Sequence, residues 1–158
     1  MRHTDDASLV EAALPLIEKA AGQTVDAAAR ARLVAGMGGL KARAKTLLEL
    51  ANAAVFYVRA RPIALDDAAR KHLAGEGLAH LKSAHELFAA APVWEAAALE
   101  ALLREAAERS GAKLGALAQP VRAALSGQGT SPPIFEVMEI LGRDEALGRI
   151  SDALGGAR

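Results

Sequence analysis

Apolar residues along the chain recur three and four positions apart, the repeat of one face of a helix. No stretch alternates apolar and polar residues as a half-buried strand would. "SLVEAALPLIEKAAG" reads as a first helix, capped by Asp5 or Asp6 and ended or kinked at Pro15. "TVDAAARARLVAGMGG" reads as a second, closed by Gly38 and Gly39. "LKARAKTLLELANAAVFYVRA" carries the strongest signal. Leu40, Ala44, Leu47, Leu48, Ala51, Ala54, Val55 and Val58 fall on one stripe, and Lys41 and Lys45 share a face one turn apart. "RPIALDDAARKHLAG" is a joint. Pro62 cannot continue the preceding helix, Asp66 or Asp67 can cap the next, and the division into subdomains 1–62 and 63–158 is placed there. "GLAHLKSAHELFAAA" is a helix that stops before Pro92, and "VWEAAALEALLREAAERSG" follows, ending at Gly111. "KLGALAQPVRAALSG" is a helix interrupted at Pro120. "SPPIFEVMEILG" restarts with Ser131 as N-cap and proline in the first turn, where a missing N–H costs little. "RDEALGRISDALGG" closes the chain with Leu147, Ile150, Ala153 and Leu154 on one face. The fold class is all-α, in two small helical subdomains without an internal repeat.

Composition sharpens this picture. Alanine and leucine dominate, which favours helix throughout, and 52% apolar residues in 158 is enough for a core. Nineteen Lys and Arg balance nineteen Asp and Glu, so a strongly basic, indiscriminate nucleic-acid binder is excluded, whereas a reader of a few nucleotides is not. The absence of cysteine removes disulfides and thiolate metal sites and suits a reducing compartment. "MRHTDDASLV" places two acids where a signal peptide needs an apolar run, and no segment approaches the roughly 18 uninterrupted apolar residues of a membrane span. A cytoplasmic chain with no membrane partner is expected.

Candidate chemistry is sparse. The four histidines, His3, His72, His80 and His85, lack the His-Glu-x-x-His and Glu-x-x-His spacings of metal sites, although Glu76 and His80 are one turn apart. They are expected to be solvated surface residues, with no metal bound. No serine sits in a nucleophile elbow, "GQG" lacks the rest of a phosphate loop, and no catalytic residue is assigned. Two binding candidates remain. One is the basic face of Lys41, Arg43 and Lys45, for which a solvated helix face is the plainer account. The other is Arg122 with the Gly127–Ile134 loop, for which a helix connection with Arg122 in a local salt bridge is the plainer account. Yet Ser131, Pro132 and Pro133 set a stiff backbone beside a planar five-donor guanidinium, and such loops suit unstacked bases read on their Watson–Crick edges. With only five aromatics, Phe56, Tyr57, Phe88, Trp94 and Phe135, stacking along a long single strand is not expected.

"KLGALAQPVRAALSGQGTSPPIFEVMEILGRDEALGRISDAL" resembles the C-terminal anticodon-binding domain of bacterial glutamyl-tRNA synthetases. That family carries Lys-(Leu/Met)-Gly, then Pro-Leu-Arg-x-Ala-(Leu/Val)-Thr-Gly, a Ser/Thr-Pro loop, a Leu-Gly-Lys/Arg turn and a final Arg-Ile/Leu. "KARAKTLLELA", "VFYV", "ARKHL" and "VWEAAALEALL" are similar to the family in the same order, so the resemblance covers about residues 40–154, most specifically the last third. The first forty residues match more loosely. Text similar to "RHTDD" lies well inside such enzymes, so Met1 is expected to mark the start of a fragment.

The resemblance implies a helical cage that holds a tRNA anticodon. By position, Arg122 recognises an anticodon base, Ser131 and Pro132 contact bases, and Ile134 packs on them. A further basic residue, Lys41, Arg43 or Lys45, reads another base, with Arg43 favoured. Val121 in place of Leu and Ser126 in place of Thr are mild departures. Pro133 stands where the family often has Gly, which stiffens the loop and removes an N–H donor. The His-x-Gly-His and Lys-x-Ser-Lys motifs of the catalytic domain do not occur, so this chain alone is not expected to activate glutamate. It needs no cofactor itself, ATP with magnesium serving the parent ligase, and it acts as a monomer. Generic Ala/Leu helices are also compatible with a helical scaffold, or with a synthetase-like paralogue outside translation.

Overall fold

A computed structural model of the chain describes residues 5–59 and 61–155. Among them are nine helices and no strand. They are α1 (Asp6–Ala21), α2 (Ala27–Lys41), α3 (Leu47–Val58), α4 (Asp67–His72), α5 (Glu76–Ala89), α6 (Ala96–Ser110), α7 (Leu114–Ser126), α8 (Ile134–Leu141) and α9 (Arg143–Gly155). None is long and apolar enough to cross a membrane. The chain divides into two compact units, Met1–Ala60 and Arg61–Arg158.

The first unit packs α1, α2 and α3 against one another. Asp5 caps α1, its carboxylate accepting from Ser8 N at 3.0 Å, and this bond holds the Asp5 carboxyl below its ordinary range. Asp26 caps α2 by accepting from Ala29 N at 2.8 Å. Leu9, Val10, Ile17, Leu33, Met37, Leu40, Leu50 and Tyr57 form the core. Gly36 is where α2 meets Tyr57: a Cβ there would lie 2.8 Å from the ring. Gly36 is thus a packing position, and the glycines do not terminate the helix, which runs past Gly38 and Gly39 to Lys41.

The long helix expected over residues 40–60 is two. Thr46 ends the connector, its Oγ1 accepting from Glu49 N at 3.1 Å, and Glu49 Oε1 lies 3.5 Å from Lys45 N. This Thr-x-x-Glu capping box starts α3 afresh. Lys41 therefore ends α2 and Lys45 sits in the connector, so they do not share a helix face. The stripe shifts accordingly: Leu48 is 58% exposed, and Leu50 is buried instead. Pro15 does not end α1, which continues to Ala21; the proline is exposed, where water can satisfy the carbonyl that lacks its N–H partner.

In the second unit α7 is the axis, packed against α4, α5, α6, α8 and α9. Pro120 lies inside this helix without interrupting it. A proline inside a helix costs about 3 kcal/mol, through the lost ladder bond and the crowding of its ring against the preceding turn. Burial of Leu117, Val121 and Leu125 contributes about 1.5–3 kcal/mol each, so packing prevails. Three carbonyls near the C-terminus of α7 are met: Arg122 O by Ser126 Oγ at 2.8 Å, Ala123 O by Gly127 N at 2.8 Å, and Leu125 O by Arg149 Nη1 at 2.7 Å. Arg149, on α9, also bonds Glu145 at 2.8 Å. It is the buried polar member of the face predicted from Leu147, Ile150, Ala153 and Leu154, of which Leu147 and Leu154 are only half-buried. Gly111 ends α6 at φ 76°, in the left-handed conformation expected of it.

Candidate nucleic-acid interface

The polar cluster of the second unit is built on one turn of α7. Gln119 and Arg122 are three residues apart, hence on one face. Arg122 Nη1 donates to Gln119 Oε1, and Arg122 Nε donates to Ser131 Oγ at 3.1 Å. Ser131 Oγ in turn donates to Pro132 O at 2.7 Å. Gln119 Nε2 donates to Gly129 O at 3.2 Å and to His72 Nε2 at 3.1 Å. The loop from Gly127 to Pro133 is thereby tied to this face of α7 through Gly129 and Ser131. Both attachments end on the half-buried Arg122–Gln119 pair.

The turn itself depends on Gly127. Its φ is 73°, and an added Cβ would come within 2.2 Å of Ala64 O. Its carbonyl accepts from Asp66 N at 2.9 Å, which binds the loop to the segment that begins α4. Ser126 Oγ accepts from Gln128 N at 3.1 Å and closes the first step of the turn. One expectation is corrected. Ser131 is not the N-cap of α8; Pro133 holds that position, and the Ser131 hydroxyl is committed to Arg122 and Pro132. Arg122 itself donates to two neutral acceptors, Gln119 Oε1 and Ser131 Oγ.

The sequence-derived residues fall into two groups. Arg122, Ser131, Pro132 and Ile134 come together in the second unit. Ser131 is 8% exposed and Ile134 3%, so Ile134 packs into the protein core. Lys41, Arg43 and Lys45 lie in the first unit, between the end of α2 and the cap of α3. Lys41 Nζ is paired with Asp6 at 2.7 Å, while Arg43 and Lys45 are exposed. Phe56, Tyr57 and Phe88 are core residues, and Trp94 Nε1 is anchored on Met138 O at 2.8 Å.

Sequence reasoning missed Gln119 and His72. The i, i+3 spacing to Arg122 was a signal for Gln119. His72 had none, because its partner arrives through the packing of α4 on α7. The expectation of a solvated His72 is corrected: it is half-buried and bonded to Gln119. Beside it, Lys71, Glu76, Gly77, His80, Gly115 and Pro120 line a shallow groove. His3 lies outside the described residues. Among those described, no three His, Asp or Glu side chains gather as metal ligands would.

Fold and cluster together define an all-α domain built round a loop-clasped arginine. A family model described as an anticodon binding domain matches residues 8–154. The chain is 51% identical, over its whole length, to a glutamate–tRNA ligase 2 of Paramagnetospirillum magneticum, and covers 33% of that protein. It is 52% identical, over 97% of its length, to a glutamate–tRNA ligase 2 of Rhodospirillum rubrum, again covering 33%. The crystal structure of the glutamate–tRNA synthetase of Elizabethkingia anophelis has a similar fold, with a TM-score of 0.74 at 19% identity, over 98% of this chain and 29% of that one. The chain belongs to the anticodon-binding domain family, and it spans about a third of the length of the curated relatives it matches.

Proposed function

We propose that this chain is the C-terminal anticodon-reading part of a glutamate–tRNA ligase. Its mechanism is binding, not bond making. The observation that carries the reading is the loop-clasped Arg122: the loop between α7 and α8 and the guanidinium on α7 are fixed to each other, so base edges meet a preset pattern of donors. Arg122 supplies donors to one anticodon base, with Ser131 and Pro132 beside it. Ile134 supplies apolar support from beneath. Arg43 reads a further base from the first unit, with Lys41 and Lys45 as the other basic candidates. Glutamate activation, with its ATP and magnesium, belongs to the catalytic part of the parent ligase, whose His-x-Gly-His and Lys-x-Ser-Lys motifs are not in this sequence. Capture of the correct anticodon favours the cognate tRNA by differential binding. The chain acts as a cytoplasmic monomer, and its partner is the anticodon loop of tRNA.

The test is fluorescence anisotropy with labelled anticodon stem-loops, one carrying the glutamate anticodon and one the glutamine anticodon. Preference for the glutamate loop is expected of a strict ligase, and equal binding would mark a relaxed one. Arg122→Ala is expected to weaken binding by about 1–3 kcal/mol, about 5- to 150-fold. Unchanged affinity in that variant would remove Arg122 from the interface. Absence of binding to either stem-loop and to whole tRNA would sink the reading.

A further inference from the structure

We infer that Gln119 and His72 form a positioning relay that orients the Arg122 guanidinium, and that it holds only while the His72 ring is neutral. The inference rests on the anticodon-reading role of Arg122. Gln119 has one acceptor and two side-chain hydrogens. The acceptor, Oε1, takes the Arg122 Nη1 bond. The two hydrogens of Nε2 go to Gly129 O at 3.2 Å and to His72 Nε2 at 3.1 Å. The last contact is satisfied only when His72 Nε2 accepts, which places the ring proton on Nδ1. The amide orientation of Gln119 is thus dictated from both sides. A 180° turn of the amide would aim its NH2 at the Arg122 guanidinium, donor against donor. Protonation of His72 makes Nε2 a donor and forces either that turn or the loss of the contact. Both loosen the guanidinium and the Gly129 attachment of the loop.

The charged groups facing His72 are few. Lys71 of α4, Glu76 and His80 of α5, and Arg122 one residue beyond it across Gln119 surround the site, and the first three line the same groove. His80 also lines the groove, so the relay must be told apart from it. Gln119 and His72 touch Arg122 or one another, and no contact of theirs with a base is required; they act through Arg122.

Two readouts decide the matter, one of which needs no RNA. In nitrogen-15 spectra of the isolated chain, the Gln119 side-chain amide and the Arg122 Nε–H should shift together between pH 7.5 and 5.5, the range in which imidazoles take up a proton. His80→Asn should leave that joint transition in place. His72→Gln, which puts a non-titrating acceptor near the position of Nε2, should abolish it while both signals keep their pH 7.5 positions. In stem-loop binding, the parent chain should weaken about fivefold on going to pH 5.5, the loss of about one hydrogen bond. His72→Gln should bind as the parent does at pH 7.5 and stay flat with pH, and His72→Phe should bind weakly at both. An Arg122 Nε–H that ignores pH, or a transition that survives in His72→Gln, would overturn the relay. If the parent chain binds neither stem-loop nor whole tRNA, the anticodon reading fails while the spectra still decide the relay.

Discussion

Arg149 puts a guanidinium into the protein interior at 1% exposure, where an unpaired charge is costly. It is tolerated because Glu145 supplies the counter-charge and Leu125 O a strong acceptor at the end of α7, where the helix dipole also favours a cation. Arg149→Ala would take a counter-charge from the half-buried Glu145 carboxylate and remove the Arg149 donor from a helix-end carbonyl. Removing one partner of a buried pair costs about 3–5 kcal/mol, so the melting temperature followed by circular dichroism should fall by about 6–20 °C. A shift of only a degree or two would show that water replaces Arg149 at little cost. The position shows what a sequence withholds. Apolar periodicity located the inward face of α9, but an arginine on that face reads as an exception until its partners on α7 are known. Arg122 and Ser131 were legible as candidates because the Pro-x-Arg and Ser-Pro-Pro pattern is local. Gln119 was half legible through its spacing to Arg122. His72 was not, because its role comes from a contact 47 residues away in sequence.

At the scale of elements, the turn after α7 is set by backbone geometry more than by side chains. Alanine at Gly127 would have to adopt φ 73° and place a methyl against Ala64 O. The left-handed strain alone costs about 1–3 kcal/mol, and relief of the clash moves the loop that carries Ser131. Gly115→Ala is the matched control, on the first turn of α7 with no atom within 4 Å of the new Cβ. It should stabilise by up to about 1 kcal/mol. Denaturant unfolding of the two variants should therefore move in opposite directions, and stem-loop binding should fall for Gly127→Ala alone. Equal effects would mean that the turn conformation is not what limits the site. Helix existence was legible nearly throughout, because a run of alanine and leucine with 3.6-residue periodicity leaves little else. Boundaries were less so. Thr46-x-x-Glu49 was a readable capping box masked by the apolar residues on either side of it. The continuity of α7 through Pro120 was unreadable, since it follows from the helices packed round it.

For the molecule as a whole, neutrality has a measurable consequence. Nineteen basic and nineteen acidic side chains cancel, and many of the cations are held by acids of the same chain. Lys41 pairs with Asp6, Arg61 with Asp152 and Arg104 with Glu100. The Asp152 bond raises the Arg61 pKa above its ordinary value, so that charge stays fixed at any physiological pH. A surface so balanced neutralises few phosphates and therefore releases few counterions. For single-stranded RNA the slope of log K against log salt is about −0.7 per phosphate neutralised. With the base contact of Arg122 adding nothing to it, neutralisation of about three phosphates by other basic residues gives a slope of about −2. Proteins that track a backbone with 6–10 contacts lose about a thousandfold or more between 50 and 200 mM salt. By the slope expected here, this chain should lose about twentyfold. Anisotropy across that range, with Arg122→Ala and Arg43→Ala alongside the parent, separates the two regimes. Arg122→Ala should lower affinity without flattening the slope, as a base contact does, whereas removal of a phosphate contact flattens it by about 0.7. A parent slope steeper than about −5 would mean that the chain holds RNA by its backbone, and the preset hydrogen-bond pattern round Arg122 would then be an accessory to binding and not its source.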